Sequence, residues 1–275
     1  MRHGVYSALL LSSVLMGCAE EDVQSLGLDT PIQVLADIPS FDHPKRFTNS
    51  QDAGPICPQN SPTCFAYAEQ QLLKQYAPFV QASKPSGLTL QLYSGKTLTL
   101  TGQNPDNPSA DCHPCRYQLI QVYPKLDAVL VHLQYREGGS YQLINLDTEQ
   151  RLNLHGIPVL SPNLQYLISL NSDLRTGLNN NALQVYRFDS VNGPQLSFDI
   201  FRDMPQFTEL KIGFSEAKWL DSSSFIVQAD MATSDSFEPQ HRYYQMQRHG
   251  DHQNATWTMQ QLDLNSYNAL MYPDA

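Results

Sequence analysis

Three stretches of this chain can be laid over one another, and a chain that repeats a β pattern at this spacing must stack its copies to bury them. The first runs "YPKLDAVLVHLQY", a break at "REGG", then "SYQLINLDTEQRLNL". The second runs "LSPNLQYLISLNS", a break at "DLRTGLNNN", then "ALQVYRFDSVNGPQLSFDIF". The third runs "KWLDSSSFIVQAD", a break at "MATSDSFEPQ", then "HRYYQMQRHGDHQNATWTMQQL". Apolar Leu, Ile, Val and Tyr alternate with polar residues, which is the period of a strand and not of a helix. In each copy a turn signal precedes a buried strand, a variable loop follows, and a hairpin closes the unit. That order predicts a mainly β fold, a propeller-like stack of antiparallel four-stranded units, with a β-sandwich as the alternative.

"GLTLQLYSGKTLTLTG" adds one more hairpin, turning at Ser94-Gly95-Lys96. Three units and a hairpin fall short of four complete blades, so the edges must be hidden in another way. Either the final "LDLNSYNALMYPDA" or the 87–101 hairpin is expected to pair with the opposite end. Ahead of the sheets, Ser61 as N-cap and Pro62 at the first position open a helix whose apolar face carries Phe65, Ala68, Leu72, Leu73 and Tyr76; Pro78 closes it. The expected organisation is residues 1–17 as a leader, 18–56 as a tether, 57–86 as a disulfide-pinned helix region and 87–275 as the β-repeat domain.

Two resemblances refine this. Gly156 to Ile168, "GIPVLSPNLQYLI", resembles the "P-x-x-S-P-D-G-x-x-[ILF]" element of TolB-type β-propeller repeats, and Ala217 to Val227 resembles a degenerate copy. Asn163 and Leu164 stand where that family has Asp and Gly. The likeness covers roughly residues 120–262, implies a fold class and carries no catalytic residue. At the start, "MRH" and the apolar run Val5 to Met16 end in Leu15-Met16-Gly17-Cys18, which resembles the lipobox of bacterial lipoproteins. It implies cleavage before Cys18, lipid on that thiol and a cell-envelope location. Ala19 after the cysteine implies the outer membrane, facing the periplasm.

The leader core is too short to span a bilayer, and no later apolar run reaches the roughly 18 residues that spanning requires. Membrane attachment is therefore expected through the lipid alone. The chain carries 27 acidic against 17 basic side chains, a formal charge of −10, and loses Arg2 with the leader. No basic cluster breaks this balance, which argues against nucleic acid as a partner.

With Cys18 assigned to lipid, Cys57, Cys64, Cys112 and Cys115 remain. Zinc, a redox pair and disulfides are the candidate uses. The Cys57–Cys64 spacing is wider than in zinc ribbons, and Cys115 runs into the strand pattern "RYQLIQVY", not into a helix that would activate a thiol. Export to an oxidising compartment favours disulfides. Pairing within or between the two groups stays open, because four cysteines allow three connectivities.

A catalytic reading finds no Gly-x-Ser-x-Gly, no His-Glu-x-x-His and no phosphate loop. Catalysis, a metal and a cofactor are not expected. His249-Gly250-Asp251-His252 reads as a hairpin tip before it reads as a metal site, and His132 reads as a core histidine. Asp230, Asp235 and Glu238 lack the spacing of a known calcium loop. The useful signal is that the repeats vary in length at one equivalent loop, so these loops should emerge together as a binding face. It would contain Arg136 and Glu137, then Asp173, Arg175, Asn179, Asn180 and Asn181, then Asp235, Phe237, Glu238 and His241. The expected function is a lipid-anchored envelope binding or assembly module whose partner is a protein or glycan. A hydrolase with a carboxylate-lined pocket, or an inhibitor or immunity protein against an envelope-targeting toxin, are the alternatives.

Overall fold

The computed structural model describes residues 34–35, 62–83, 87–103, 115–189, 193–233, 236–251 and 254–273. By its internal contacts the chain divides into residues 1–31 and 32–275, and all of the described residues belong to the second part. The leader, Cys18, Ser61, Cys57, Cys112, Asp235 and His252 lie outside the described residues.

The architecture is mainly β, as the repeats predict, and the described residues form four antiparallel four-stranded sheets. The first comprises β1 (Val34–Leu35), β2 (Val80–Ser83), β3 (Gly87–Gln91) and β4 (Thr97–Leu100), in the order β1-β4-β3-β2. Helix α1 (Pro62–Gln75) lies between β1 and β2 in the chain. The second sheet is a simple meander of β5 (Arg116–Tyr123), β6 (Ala128–Gln134), β7 (Gly139–Asn145) and β8 (Arg151–Leu154). The third is β9 (Val159–Leu160), β10 (Tyr166–Asn171), β11 (Ala182–Asp189) and β12 (Gly193–Asp199), followed by the short helix α2 (Ile200–Asp203). The fourth is β13 (Ile212–Trp219), β14 (Ser224–Thr233), β15 (Ser236–His249) and β16 (Thr256–Leu262), followed by α3 (Leu264–Met271).

Two expectations are corrected here. The lone hairpin is β3–β4, and it is completed by β2 from the helix region and by two residues of the tether. The first sheet therefore crosses the boundaries drawn at residues 56 and 86. The last segment does not close a ring: it folds as α3, whose Tyr267 and Met271 cover Ile226 on the fourth sheet. Asp263 caps α3, accepting from Ser266 N–H at 2.9 Å, and Lys218 Nζ donates to the Leu270 and Met271 carbonyls at its other end. The 87–101 hairpin likewise pairs with β1 and β2. Helix α1 ends at Gln75, three residues before Pro78.

Strand alternation explains how the sheets stack. Along β6, Val129 and Val131 enter a cluster shared with the first sheet, with Leu88, Leu90, Leu98 and Leu100 opposite. Their neighbours Ala128 and Leu130 point the other way, into a cluster with Leu167 of the third sheet. Along β10 the pattern repeats, since Tyr166 and Ile168 face Phe225 and Val227 of the fourth sheet. Each inner sheet is thus buried on both faces, which is why its strands read as nearly continuous apolar runs. Among the described residues none of the four apolar clusters joins the first sheet to the fourth.

The second strand of the second and third sheets is entered by a tight turn with a left-handed residue, Asp127 (φ 49°) and Leu164 (φ 58°). Leu164 occupies the place where the resembled motif has Gly. Its turn is held by Leu164 N–H to Ser161 O (2.9 Å), Ser161 Oγ to Asn163 Oδ1 (2.8 Å) and Tyr166 N–H to Ser161 Oγ (2.9 Å). A leucine in this conformation is strained by roughly 1–2 kcal/mol, and these three bonds offset part of it. The corresponding turn of the fourth sheet uses side chains instead, with Asp221 accepting from Ser223 and Ser224.

Candidate functional site

A cleft of about 870 Å³ opens across the second, third and fourth sheets. Its wall is made from the beginnings of β5 and β13 and the far ends of β6, β10 and β14, with Phe65 and Ala66 of α1 at one side. The repeats place it: equivalent strand ends of stacked sheets meet at one edge of the stack, and the variable loops emerge there.

Two of the predicted loops are joined directly. Asn179 Oδ1 accepts the Gly139 N–H at 3.1 Å, tying the β10–β11 loop to the β6–β7 loop. Gly139 must be glycine for packing reasons, since a Cβ would fall into the His132 imidazole. Asp173 is spent inside its own loop: its carboxylate accepts the N–H groups of Thr176, Gly177, Leu178 and Asn179 at 2.9–3.2 Å. Partial desolvation opposes its ionisation, but these bonds and the Thr176 hydroxyl outweigh it and hold the carboxyl at about 2. Asn181 Oδ1 accepts the Asp173 N–H at 2.5 Å. Asp173 and Asn181 therefore shape the loop, whereas Arg175 and Asn180 are exposed on it and Arg136 and Glu137 are exposed on its neighbour.

On the fourth sheet, His241 is exposed and its Nδ1 lies 2.8 Å from Oδ1 of buried Asp230, with Gln228 Nε2 in reach of both. Asp230 and His241 stand opposite each other in the β14–β15 register, while the grouping of Asp230 with Asp235 and Glu238 lies outside the described residues. Phe237 and Glu238 lie in β15, and their side chains are outside the described residues. At the other hairpin, His249 Nε2 contacts Thr258 Oγ1 at 2.9 Å and Asp251 accepts the Asn254 N–H, as a turn does. Among the described residues no three His, Cys, Asp or Glu side chains gather as a metal site.

His132, read from the sequence as a core histidine, is joined on the wall by residues the sequence did not single out, among them Arg116, Tyr141 and His155. His132 is stacked on Tyr141, with ring centroids 4.7 Å apart; it lines the cleft instead of filling the core. Burial lowers its pKa, and the nearby Arg116 charge acts in the same direction. Burial also lowers that of His155, with Asp199 opposing. Both imidazoles are thereby kept neutral at pH 7. Glu69 of α1 reaches β5, where it accepts the Leu119 N–H at 2.9 Å and pairs with Arg116 at 2.5 Å. Burial still raises the Glu69 pKa, against the pull of those partners. A second cavity of about 460 Å³, lined by Asn180, Asn181, Gln184, Asp199 and Thr208, shares His155 with the main cleft.

Comparison with protein-family models, with curated proteins and with solved structures returned no match.

Proposed function

We propose that this chain is a lipid-anchored binding module of the bacterial cell envelope, built from degenerate TolB-type repeats and acting without catalysis. The observation that supports it best is the convergence of two variable loops on one cleft through the Asn179–Gly139 bond. Insertions that collect at one edge of a repeat array commonly form its recognition surface. In this reading Cys18 takes the lipid, residues 19–33 ahead of β1 hold the stack away from an outer membrane, and the cleft meets a partner in the periplasm. Cys57, Cys64, Cys112 and Cys115 form two disulfides. Cys64 sits in the first turn of α1 and Cys115 immediately precedes β5, the strand that α1 packs against, which supports a local role for these two thiols.

The test is capture of the lipidated protein from crosslinked envelopes, beside a form in which residues 172–181 are replaced by a short turn. A partner recovered with the intact loop and lost without it is the expected result. Equal recovery from both forms would remove the loop face from the proposal. Absence of lipid on Cys18 in the mature protein would remove the anchor.

A further inference from the structure

The cleft has the dimensions of a small-molecule site, within the roughly 300–1,000 Å³ typical of such pockets. What distinguishes it is the treatment of charge. Five ionisable side chains that matter to its electrostatics line it: Arg116, His132, His155, Asp173 and Asp230. Arg116 is paired with Glu69, Asp230 with His241, and Asp173 with four backbone N–H groups of its own loop. The two histidines are depressed by burial and stay neutral. Among the described wall residues the one strong cation, Arg116, is thus already engaged by Glu69, and the formal charges that remain are carboxylates held in internal hydrogen bonds, in a chain whose net charge is −10.

The rest of the wall is rich in neutral donors and acceptors. Gln118, Gln134, Ser172, Asn179 and Ser215 supply amides and hydroxyls, and the stacked His132–Tyr141 pair supplies flat ring surface. Flat rings beside amides and hydroxyls suit a ligand with weakly polar C–H faces and many hydroxyl edges. The neighbouring cavity reached past His155 continues the same chemistry, with Asn180, Asn181 and Gln184, while its one carboxylate, Asp199, is occupied by Gln184 and the α2 N–H groups.

We infer that the cleft binds an uncharged oligosaccharide, with the His132–Tyr141 pair as its stacking ledge and the surrounding amides as its hydrogen-bonding rim. An anionic ligand is disfavoured because its charge would be desolvated beside carboxylates while the Arg116 guanidinium is already engaged by Glu69, and a peptide brings such a charge at its C-terminus. This inference rests on the binding-module reading and narrows its ligand.

The test uses the full-length lipidated protein in detergent micelles, titrated calorimetrically with linear tetrasaccharides of β-1,4-glucan, α-1,4-glucan, mannan and chitin. A galacturonate tetramer and acidic and basic tetrapeptides are the charged probes. At least one uncharged sugar is expected to bind, with affinity falling by about tenfold or more in Tyr141→Leu and in His132→Leu, as for loss of an aromatic contact. Tyr272→Ala, an exposed ring beyond α3, is expected to leave binding unchanged, and thermal melts of all variants check folding. Binding of the charged or peptide probes alone, binding of no sugar at millimolar concentration, or sugar binding indifferent to both ledge variants would each overturn the inference. In any of those cases capture of an envelope partner through the loop face can still succeed, so the two readings fail separately.

Discussion

The seam between the third and fourth sheets and the seam between the first and second are buried to similar depth but built from different materials. The former is aromatic: Tyr166, Phe198, Phe214, Trp219, Phe225, Tyr244 and Trp257 meet in one cluster, with Trp219 and Trp257 centroids each within 5.5 Å of Phe225. Ring edges and N–H groups make that seam directional, since Trp219 Nε1 donates to the Val159 carbonyl at 2.9 Å and Trp257 Nε1 to Ser197 Oγ at 3.2 Å. The latter is almost entirely Leu, Val and Ile. Aliphatic surfaces bury area without fixing an angle, so orientation there comes from polar ties at its rim. Glu69 binds β5, and Tyr93 reaches across the sheets, its hydroxyl donating to Asp127 Oδ1 at 2.9 Å and its N–H to the Leu146 carbonyl. One seam carries specificity in its core and the other at its edge.

The contrast can be broken most severely at Phe225, which is fully buried. Phe225→Ala should cost about 3–5 kcal/mol, because rings held at fixed angles close poorly over a cavity. Leu90→Ala in the aliphatic seam should cost less, about 2–3 kcal/mol, as flexible neighbours collapse into the space. Chemical denaturation of both variants ranks them, and a larger loss at Leu90 would reverse the comparison. Glu69→Ala should cost about 1–3 kcal/mol by leaving the Leu119 N–H and Arg116 without their partner. Glu69→Gln, which keeps an acceptor for Leu119, should recover much of that loss. Leu164→Gly should stabilise by up to about 1 kcal/mol, since glycine takes the left-handed conformation without strain.

Acid should distinguish the two halves by window rather than by size. His132 has a folded pKa below its unfolded value, so the unfolded chain binds the extra proton first. Its contribution is complete above pH 6.5 and is lost as pH falls below it. Glu69 acts oppositely, because its raised folded pKa makes the folded state gain stability as pH falls towards 4.5. In the third and fourth sheets the shifted acids Asp173, Asp203 and Asp221 are lowered, so their contributions persist until pH falls below 3.8. Histidine and tryptophan signals followed by NMR and fluorescence during acid titration should change near the His132–Tyr141 ledge before the tryptophan cluster responds.

The sequence carries the copies, their turns and their loops because period-two alternation and turn residues are local signals. Ser161 to Tyr166 is legible on that ground, as is the hairpin tip at Gly250. The opening strands of the sheets are harder. β9 has two residues and β1 has two, too few for any period, and β1 is specified by its pairing with Leu98 and Thr97. Helix α3 had a readable signal in Asp263 and Ser266 with Leu264, Tyr267, Leu270 and Met271 on one face, obscured by its position after a strand. The loop half of the site was visible through length variation. The wall was not, because Gln118, His132 and Tyr141 look like ordinary members of strands until neighbouring sheets show which edge they share.

The two-residue pairing of β1 with β4 bears on the order in which the molecule assembles. The second, third and fourth sheets join neighbours in sequence, so each can zip up as soon as its own strands exist. The first must close an arc of about 60 residues, from Leu35 to Thr97, at an entropic cost that grows with the arc and is returned by very few backbone bonds. Among the described strands, the first to be made is therefore the last to find its place.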